Sequence, residues 1–191
     1  MGREFELKYT ADPETLEKLA ECFPDSREIR MQTTYYDTPE HVLSSRMWTF
    51  RQRMENDESI CTVKTPSDGV HARGEWEIRC TEISKAPELL AAAGAPAELP
   101  ELTRNGVVPV CGARFTRRAV RIFHADSELE LALDSGVLTG GAAEIPLCEV
   151  EVELKQGLEK DAQSFAEDLA RRYGLKPEPK SKFARARELQ C

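Results

Sequence analysis

Alternation of charged and apolar residues recurs along the chain and limits the folds open to it more than any other pattern. It begins at Glu4–Lys8, where three charged side chains alternate with Phe5 and Leu7. Alternation with a period of two predicts a β-strand with two different faces. A single strand of this kind would be interpreted as an ordinary strand with one face in solvent. The repetition of the pattern along the chain needs another explanation.

The same alternation predicts several further strands, each with apolar residues behind a charged or polar face. The last of them is the clearest, because Glu149, Glu151 and Glu153 stand opposite Val150 and Val152. A segment rich in β-forming residues adds one more predicted strand. The predicted strands cover residues 4–9, 32–37, 47–55, 60–64, 73–80, parts of 107–124, 128–134 and 148–154.

Helical periodicity separates these strands. A first helix is predicted after Asp12-Pro13, where an acidic cap precedes a proline at the first helical position. Short helices are predicted within 84–106, and a longer one from about 158 to 173 with Gly174 as its C-terminal stop. A short basic helix is predicted at the end of the chain. Ser135-Gly136 and Gly140-Gly141 each predict a bend or turn.

The charged faces are poorly suited to an open surface, since glutamates in line along one strand repel one another. Arginines and lysines occupy the matching faces of other strands, and helices are available to cover the apolar faces. We therefore predict an α+β fold: a closed eight-stranded antiparallel β-barrel, or tunnel, with a charged lumen and helices packed outside. Closure would also remove exposed sheet edges. Residues 1–191 are predicted to form one domain.

A lumen lined by both signs of charge predicts a ligand that also carries both. Its basic residues suit a polyanion, and its acidic residues suit a hard divalent cation that takes oxygen ligands. A polyphosphate with bound Mg²⁺ or Mn²⁺ satisfies both sets.

Composition argues against several other classes of protein. A net charge of -8 is unfavourable for a general nucleic-acid binder. No apolar run reaches the length of a membrane span, and the N-terminus lacks a signal-peptide pattern, so a cytoplasmic protein without a membrane partner is expected. The six cysteines and three histidines form no C-x-x-C pair or cluster, so a zinc site is not expected. The sequence leaves the oligomeric state open between a monomer and a homodimer.

The ordered set of charged strands resembles the CYTH domain of the triphosphate tunnel metalloenzymes over nearly the whole chain. Its E-x-E-x-K signature is similar to Glu4, Glu6 and Lys8. One departure is Trp48-Thr49-Phe50, which replaces the usual short aliphatic entry to the R-x-R strand. The other matching segments are Tyr36-Asp37-Thr38, Arg51 and Arg53, Thr62-Val63-Lys64, Arg73 with Glu75 and Glu77, Arg117, Leu133-Asp134-Ser135-Gly136, Glu149 with Glu151 and Glu153, and Ser181-Lys182-Phe183.

The resemblance implies a role for each matched residue. Phosphate oxygens would be held by Lys8, Arg51, Arg53, Lys64, Arg73, Arg117 and Lys182. Metal ligands would come from Glu4, Glu6, Asp134, Glu149, Glu151 and Glu153, with the choice of two among the last three left open. The catalytic centre would contain Glu4, Glu6, Lys8 and Lys182, supported by Glu75 and Glu77.

Among members of that family, the chain resembles the bacterial inorganic triphosphatase type. Hydrolysis of inorganic tripolyphosphate is the expected activity, because it needs no pocket for a nucleobase. A water activated by metal or by a carboxylate would attack the terminal phosphorus. The alternatives are an adenylate cyclase, a thiamine triphosphatase, an RNA triphosphatase, or a module that binds polyphosphate or nucleotide without turnover.

Overall fold

The computed structural model describes residues 2–66 and 72–190, without the side chains of residues 2–4, 72 and 73. The strands are β1 (Gly2–Thr10), β2 (Arg27–Asp37), β3 (Thr49–Glu55), β4 (Glu58–Pro66), β5 (Ala72–Arg79), β6 (Val108–His124), β7 (Ser127–Gly140), β8 (Ala143–Gln156) and β9 (Lys176–Pro177). The α-helices are α1 (Pro13–Cys22), α2 (Val42–Ser45), α3 (Ala86–Ala92), α4 (Leu99–Leu102), α5 (Glu159–Tyr173) and α6 (Lys182–Arg187). Short 3-10 helices cover Ile83–Lys85 and Glu188–Gln190.

All of these strands belong to one antiparallel sheet in the order β5-β4-β3-β2-β6-β7-β8-β1-β9. In addition, β5 pairs with β1, where Gly2–Phe5 lies opposite Ala72–Glu75. The predicted combination of a large antiparallel sheet with several helices is therefore confirmed. The prediction missed β9, which pairs with Tyr9 and Thr10. Two residues, one of them proline, are too few to show an alternating pattern.

The helices lie against the apolar faces of the strands. Leu16, Leu19 and Leu169 of α1 and α5 share a buried cluster with Leu131 and Val150 of the sheet. A second cluster joins α2, α3 and α4 to β3 and β4, and a third includes Ala186 of α6. Within the part of the chain that the structure describes, no helix is long and apolar enough to cross a membrane.

The predicted helix ends agree with the structure. Asp12 caps α1 by accepting a hydrogen bond from the Thr15 backbone N–H at 2.7 Å, and proline follows it. Gly174 follows α5 in the left-handed conformation, with φ of 67°. This conformation is available to glycine because it has no Cβ to clash with the backbone.

The bend predicted at Ser135-Gly136 is wrong, because β7 runs through it without a break. Gly136 lies directly opposite Phe115 of β6. A Cβ on Gly136 would come within 2.5 Å of the Phe115 Cα. The glycine therefore permits close approach of two strands, and the chain does not turn there.

We expect Gly136→Ala to lower the free energy of unfolding by about 1–3 kcal/mol, since the added methyl group must push β6 and β7 apart. Urea unfolding followed by circular dichroism measures this change. The neighbouring exposed Ser135 offers a matched control, and Ser135→Ala should stay within about 0.5 kcal/mol of the parent. An unchanged unfolding midpoint for Gly136→Ala would contradict the close approach.

Candidate active site

The charged strand faces point into a common cavity of about 620 Å³. Eight basic and seven acidic side chains are among its described lining residues. The chain as a whole has 26 basic and 34 acidic residues. The described part of the lining is thus formally positive by one charge inside an acidic protein, which favours an anionic ligand.

Most of the residues predicted for the site meet in this cavity. Asp134 and Glu149 are exceptions, since they lie behind its wall and are fully buried. The side chains of Glu4 and Arg73 lie outside the described residues. The predicted residues that line the cavity are Glu6, Lys8, Arg51, Arg53, Lys64, Glu75, Glu77, Arg117, Glu151, Glu153 and Lys182.

Lys182, the first residue of α6, is inserted among three carboxylates. Its Nζ lies 2.9 Å from Asp134 Oδ2, 2.7 Å from Glu149 Oε1 and 2.5 Å from Glu151 Oε1. Burial would lower the pKa of the Lys182 ammonium, but the three carboxylates outweigh this effect and raise it above its ordinary value. The lysine is therefore charged, and it fastens α6 to β7 and β8.

Two arginines complete this network. Arg117 donates from Nε and Nη2 to the two Asp134 carboxylate oxygens, both at 2.8 Å, and also pairs with Glu151. Arg185 donates from Nη1 to Glu149 Oε2 at 2.7 Å. Three acids and three bases thereby neutralise one another, as buried charges require.

The two buried glutamates of this network have opposite pKa shifts. Burial raises the pKa of Glu149, and the charge of Glu151 adds to that effect, while Lys182 opposes it. The pKa of Glu151 is lowered well below its ordinary value, because Lys182 and Arg117 outweigh the effect of its burial. Glu151 is therefore the more firmly ionised of the pair.

Arg185 was not among the residues predicted for the site. A signal was present, because it stands three residues after Lys182 in a predicted helix and so shares its face. Without the position of that helix, however, the sequence could not show which acid it meets.

Arg53 is a buried cation with little negative charge beside it. Its side chain is 8% exposed, its Nε donates to Thr33 Oγ1 at 3.0 Å, and the carboxylate it pairs with is Glu55, at 3.6 Å from Nη1. Burial, together with the charges of Arg51 and Arg117, lowers its pKa to about 10. An anion in the cavity would relieve this excess of positive charge.

Arg51 and Lys64 share one acidic neighbour. Glu75 Oε1 lies 3.5 Å from Arg51 Nη2 and 3.3 Å from Lys64 Nζ. Lys64 and Glu75 are directly opposite one another on β4 and β5. Glu75 thus lies between two cations of the cavity, and the supporting role that the family resemblance implies for it stays a prediction.

The opposite wall of the cavity is rich in acids. Glu6 of β1 lies opposite Glu153 of β8, which lies opposite Glu130 of β7. Lys155 Nζ is 2.8 Å from Glu153 Oε2 and 3.7 Å from Glu130 Oε1. Glu130 and Lys155 were not predicted as site residues, although both continue the charged alternation of their strands.

A divalent metal would find oxygen ligands on this acidic wall. Among the side chains that the structure describes, no group of three carboxylates, histidines or cysteines is placed to hold a metal ion. The donor chemistry of Glu6 and Glu153 nevertheless fits a hard ion such as Mg²⁺ or Mn²⁺. By contrast, Asp134, Glu149 and Glu151, also predicted as ligands, are engaged with Lys182.

Sequence comparison finds a known relative of the chain. The chain is 28% identical over 177 residues to an inorganic triphosphatase of Haemophilus influenzae, a match that covers 88% of this chain and 50% of that protein. The chain thus spans about half the length of this curated relative.

Solved structures show the same fold. A Pyrococcus horikoshii protein aligns with a TM-score of 0.67 and 23% identity, over 98% of this chain and 99% of the other. A Hippeastrum protein, studied as an adenylyl cyclase and described as having a dominant triphosphatase activity, aligns with a TM-score of 0.66 and 17% identity, over 100% and 97%.

The CYTH domain model matches residues 2–186, which is nearly the whole chain. With the motifs, the sheet and the charged cavity, this match leads to one assignment. The chain belongs to the CYTH domain family.

Proposed function

We propose that the chain hydrolyses inorganic tripolyphosphate to pyrophosphate and orthophosphate. The observation that carries this proposal is the buried, poorly neutralised Arg53, which lines the cavity together with Arg51 and Arg117. Clustered cations of this kind favour a ligand with several negative charges over a neutral or singly charged one. The activity of the Haemophilus influenzae relative supports the same reaction.

The site is proposed to be a closed tunnel in one domain. Apart from the two-residue β9, the strands at the two ends of the sheet order are β5 and β1. Their pairing joins these ends and so supports closure. The cytoplasm is the proposed compartment. Its reducing conditions would suit the five described cysteines, which are all free.

In this proposal cations that line the cavity bind the phosphate chain. Lys8, Arg51, Arg53, Lys64 and Arg117 line the cavity and would donate hydrogen bonds to phosphate oxygens. Lys182 also faces the cavity, but its three carboxylate partners fix its side chain in the cavity wall. Arg117 is held in the same way by Asp134.

The acidic wall is proposed to hold a divalent metal through Glu6 and Glu153, with Glu4 two residues before Glu6 on the same strand. Bound there, Mg²⁺ or Mn²⁺ would neutralise charge on the phosphate oxygens. The protein's own carboxylates would orient the attacking water, and its arginines would stabilise the charge that develops on the oxygens. Asp134 and Glu149 are assigned to the support of Lys182.

The first test is a comparison of substrates with the purified protein. We expect orthophosphate release from tripolyphosphate to depend on Mg²⁺ or Mn²⁺ and to stop after exhaustive chelation. Calcium should fail to replace them, since it prefers more ligands and a looser geometry. Cyclic AMP from ATP, preferential cleavage of thiamine triphosphate, or binding without products would each favour an alternative function. Full activity in a chelator would contradict the metal assignment.

The second test addresses Arg53. Arg53→Ala removes a forked donor, so kcat/KM for tripolyphosphate should fall roughly 10- to 150-fold, the equivalent of about 1.5–3 kcal/mol for a charged hydrogen bond. Arg53→Lys should recover only part of this loss, because lysine cannot donate bidentately. Extra metal should restore neither variant.

Arg79 supplies the matched control for Arg53. Both arginines lie directly opposite Ile60 of β4, Arg53 on β3 and Arg79 on β5. The Arg79 side chain, however, is 77% exposed. Arg79→Ala should leave kcat/KM within twofold of the parent. An equal loss for both arginines would show that a general electrostatic effect, and not a phosphate contact, is measured.

The third test separates the two sets of glutamates. Glu153→Gln should weaken metal binding in calorimetry, and a higher metal concentration should restore part of its activity. Glu151→Gln should instead lower the melting temperature, because it leaves Lys182 and Arg117 with one carboxylate fewer. Metal rescue of Glu151→Gln, without any change in stability, would contradict this division.

A further inference from the structure

Phe115 lies at the centre of a group of three cations. Its side chain is buried, at 5% exposure, and is not among the described residues that line the cavity. Three cations lie over its ring: Lys182 Nζ at 5.5 Å from the ring centroid, and the Cζ atoms of Arg53 and Arg117 at 5.8 Å each. All three cations do line the cavity.

Three like charges around one ring need compensation. Lys182 and Arg117 obtain it from Asp134 and Glu151. Arg53 obtains less of it, since Glu55 lies 3.6 Å from its Nη1, and burial together with the charges of Arg51 and Arg117 lowers its pKa. The face of an aromatic ring carries negative electrostatic potential and attracts cations, and the attraction is stronger where water is excluded.

The sheet fixes the position of this ring. Phe115 lies between Met31 of β2 and Gly136 of β7 in the cross-strand register. Because Gly136 has no side chain, β7 approaches the Phe115 backbone closely. The ring therefore occupies a rigid site in the middle of the sheet, two residues from Arg117 on the same face.

We propose that Phe115 is a positioning residue, whose ring face holds Arg53 and Arg117, beside the fixed Lys182, in the arrangement that receives the phosphate oxygens. It acts through these cations and does not touch the substrate. The inference rests on the proposed function, and it adds an electronic determinant of affinity for tripolyphosphate that a purely apolar side chain could not supply.

A series of fluorinated phenylalanines at position 115 tests this role, because fluorine withdraws electron density from the ring face with little change in size. The mono-, di- and trifluoro forms should raise Kd for tripolyphosphate in calorimetry stepwise, by about tenfold over the series. KM should rise in parallel, while kcat stays within about twofold, as expected for weakened binding.

Phe50 provides the control position for the same fluorinated residues. It is buried at 1% exposure in the cluster of apolar residues between β3, β4 and α3, with Tyr36 as its aromatic neighbour. Fluorination there should leave Kd and KM unchanged. Phe115→Leu, which keeps an apolar side chain without the ring, should raise Kd at least as much as the trifluoro form.

The outcomes are distinct. A Kd that does not change along the fluorinated series, in a protein that binds tripolyphosphate normally, would overturn the role of the ring and leave Phe115 as core packing. An equal slope at Phe50 would overturn it as well. If the unsubstituted protein neither bound nor cleaved tripolyphosphate, the proposed function would fail, and the role of Phe115 in substrate affinity would fail with it.

Discussion

The ion-pair network around Lys182 is the interaction on which the rest of the site depends. Isolated charges are costly to bury, and this protein buries Asp134, Glu149 and Glu151 together. Each is stable only because a cation from another element reaches it. The network consequently joins β6, β7 and β8 to α6, a six-residue helix too short to be stable alone. It turns the end of the described chain into part of the cavity wall.

Beyond this network the cavity has two unlike sides. The cations Arg51, Arg53 and Lys64 line one side, with Glu55 and Glu75 as acidic neighbours. The acids Glu6, Glu130 and Glu153 line the other, with Arg27 and Lys155 as basic neighbours of Glu130. Such a separation of charge is unfavourable in an empty cavity. It becomes favourable around a ligand that itself joins anionic oxygens to a cation, which is the chemistry of a metal-bound polyphosphate.

The sequence predicted those parts of the fold that depend on local periodicity. Alternation placed Glu6, Arg53 and Glu151 on strand faces that do meet in one cavity, and it could also have identified Lys155. Alternation could not show how deeply each side chain is buried. Asp134 and Glu149 were therefore expected to face the lumen, and they are found buried behind its wall. A bend was predicted at Ser135-Gly136 for a similar reason. The sequence does not distinguish a glycine that permits close approach of a neighbouring strand from a glycine that permits a turn. Arg185 depends on the position of α6, which no local pattern encodes.

The order of strands in the sheet also affects how the protein is made. Glu6 finds its partner at Glu153, so β1 leaves the ribosome long before β8 exists. At about 5–20 residues per second, the delay is roughly 7–30 s. During that time residues 6–10 of β1 lack their partner, although Gly2–Phe5 can pair with the earlier β5. An unpaired β-forming segment tends to associate with other chains. The charges of Glu4, Glu6 and Lys8 would oppose that association. Residues suited to a ligand in the finished protein can therefore also keep the nascent chain in solution.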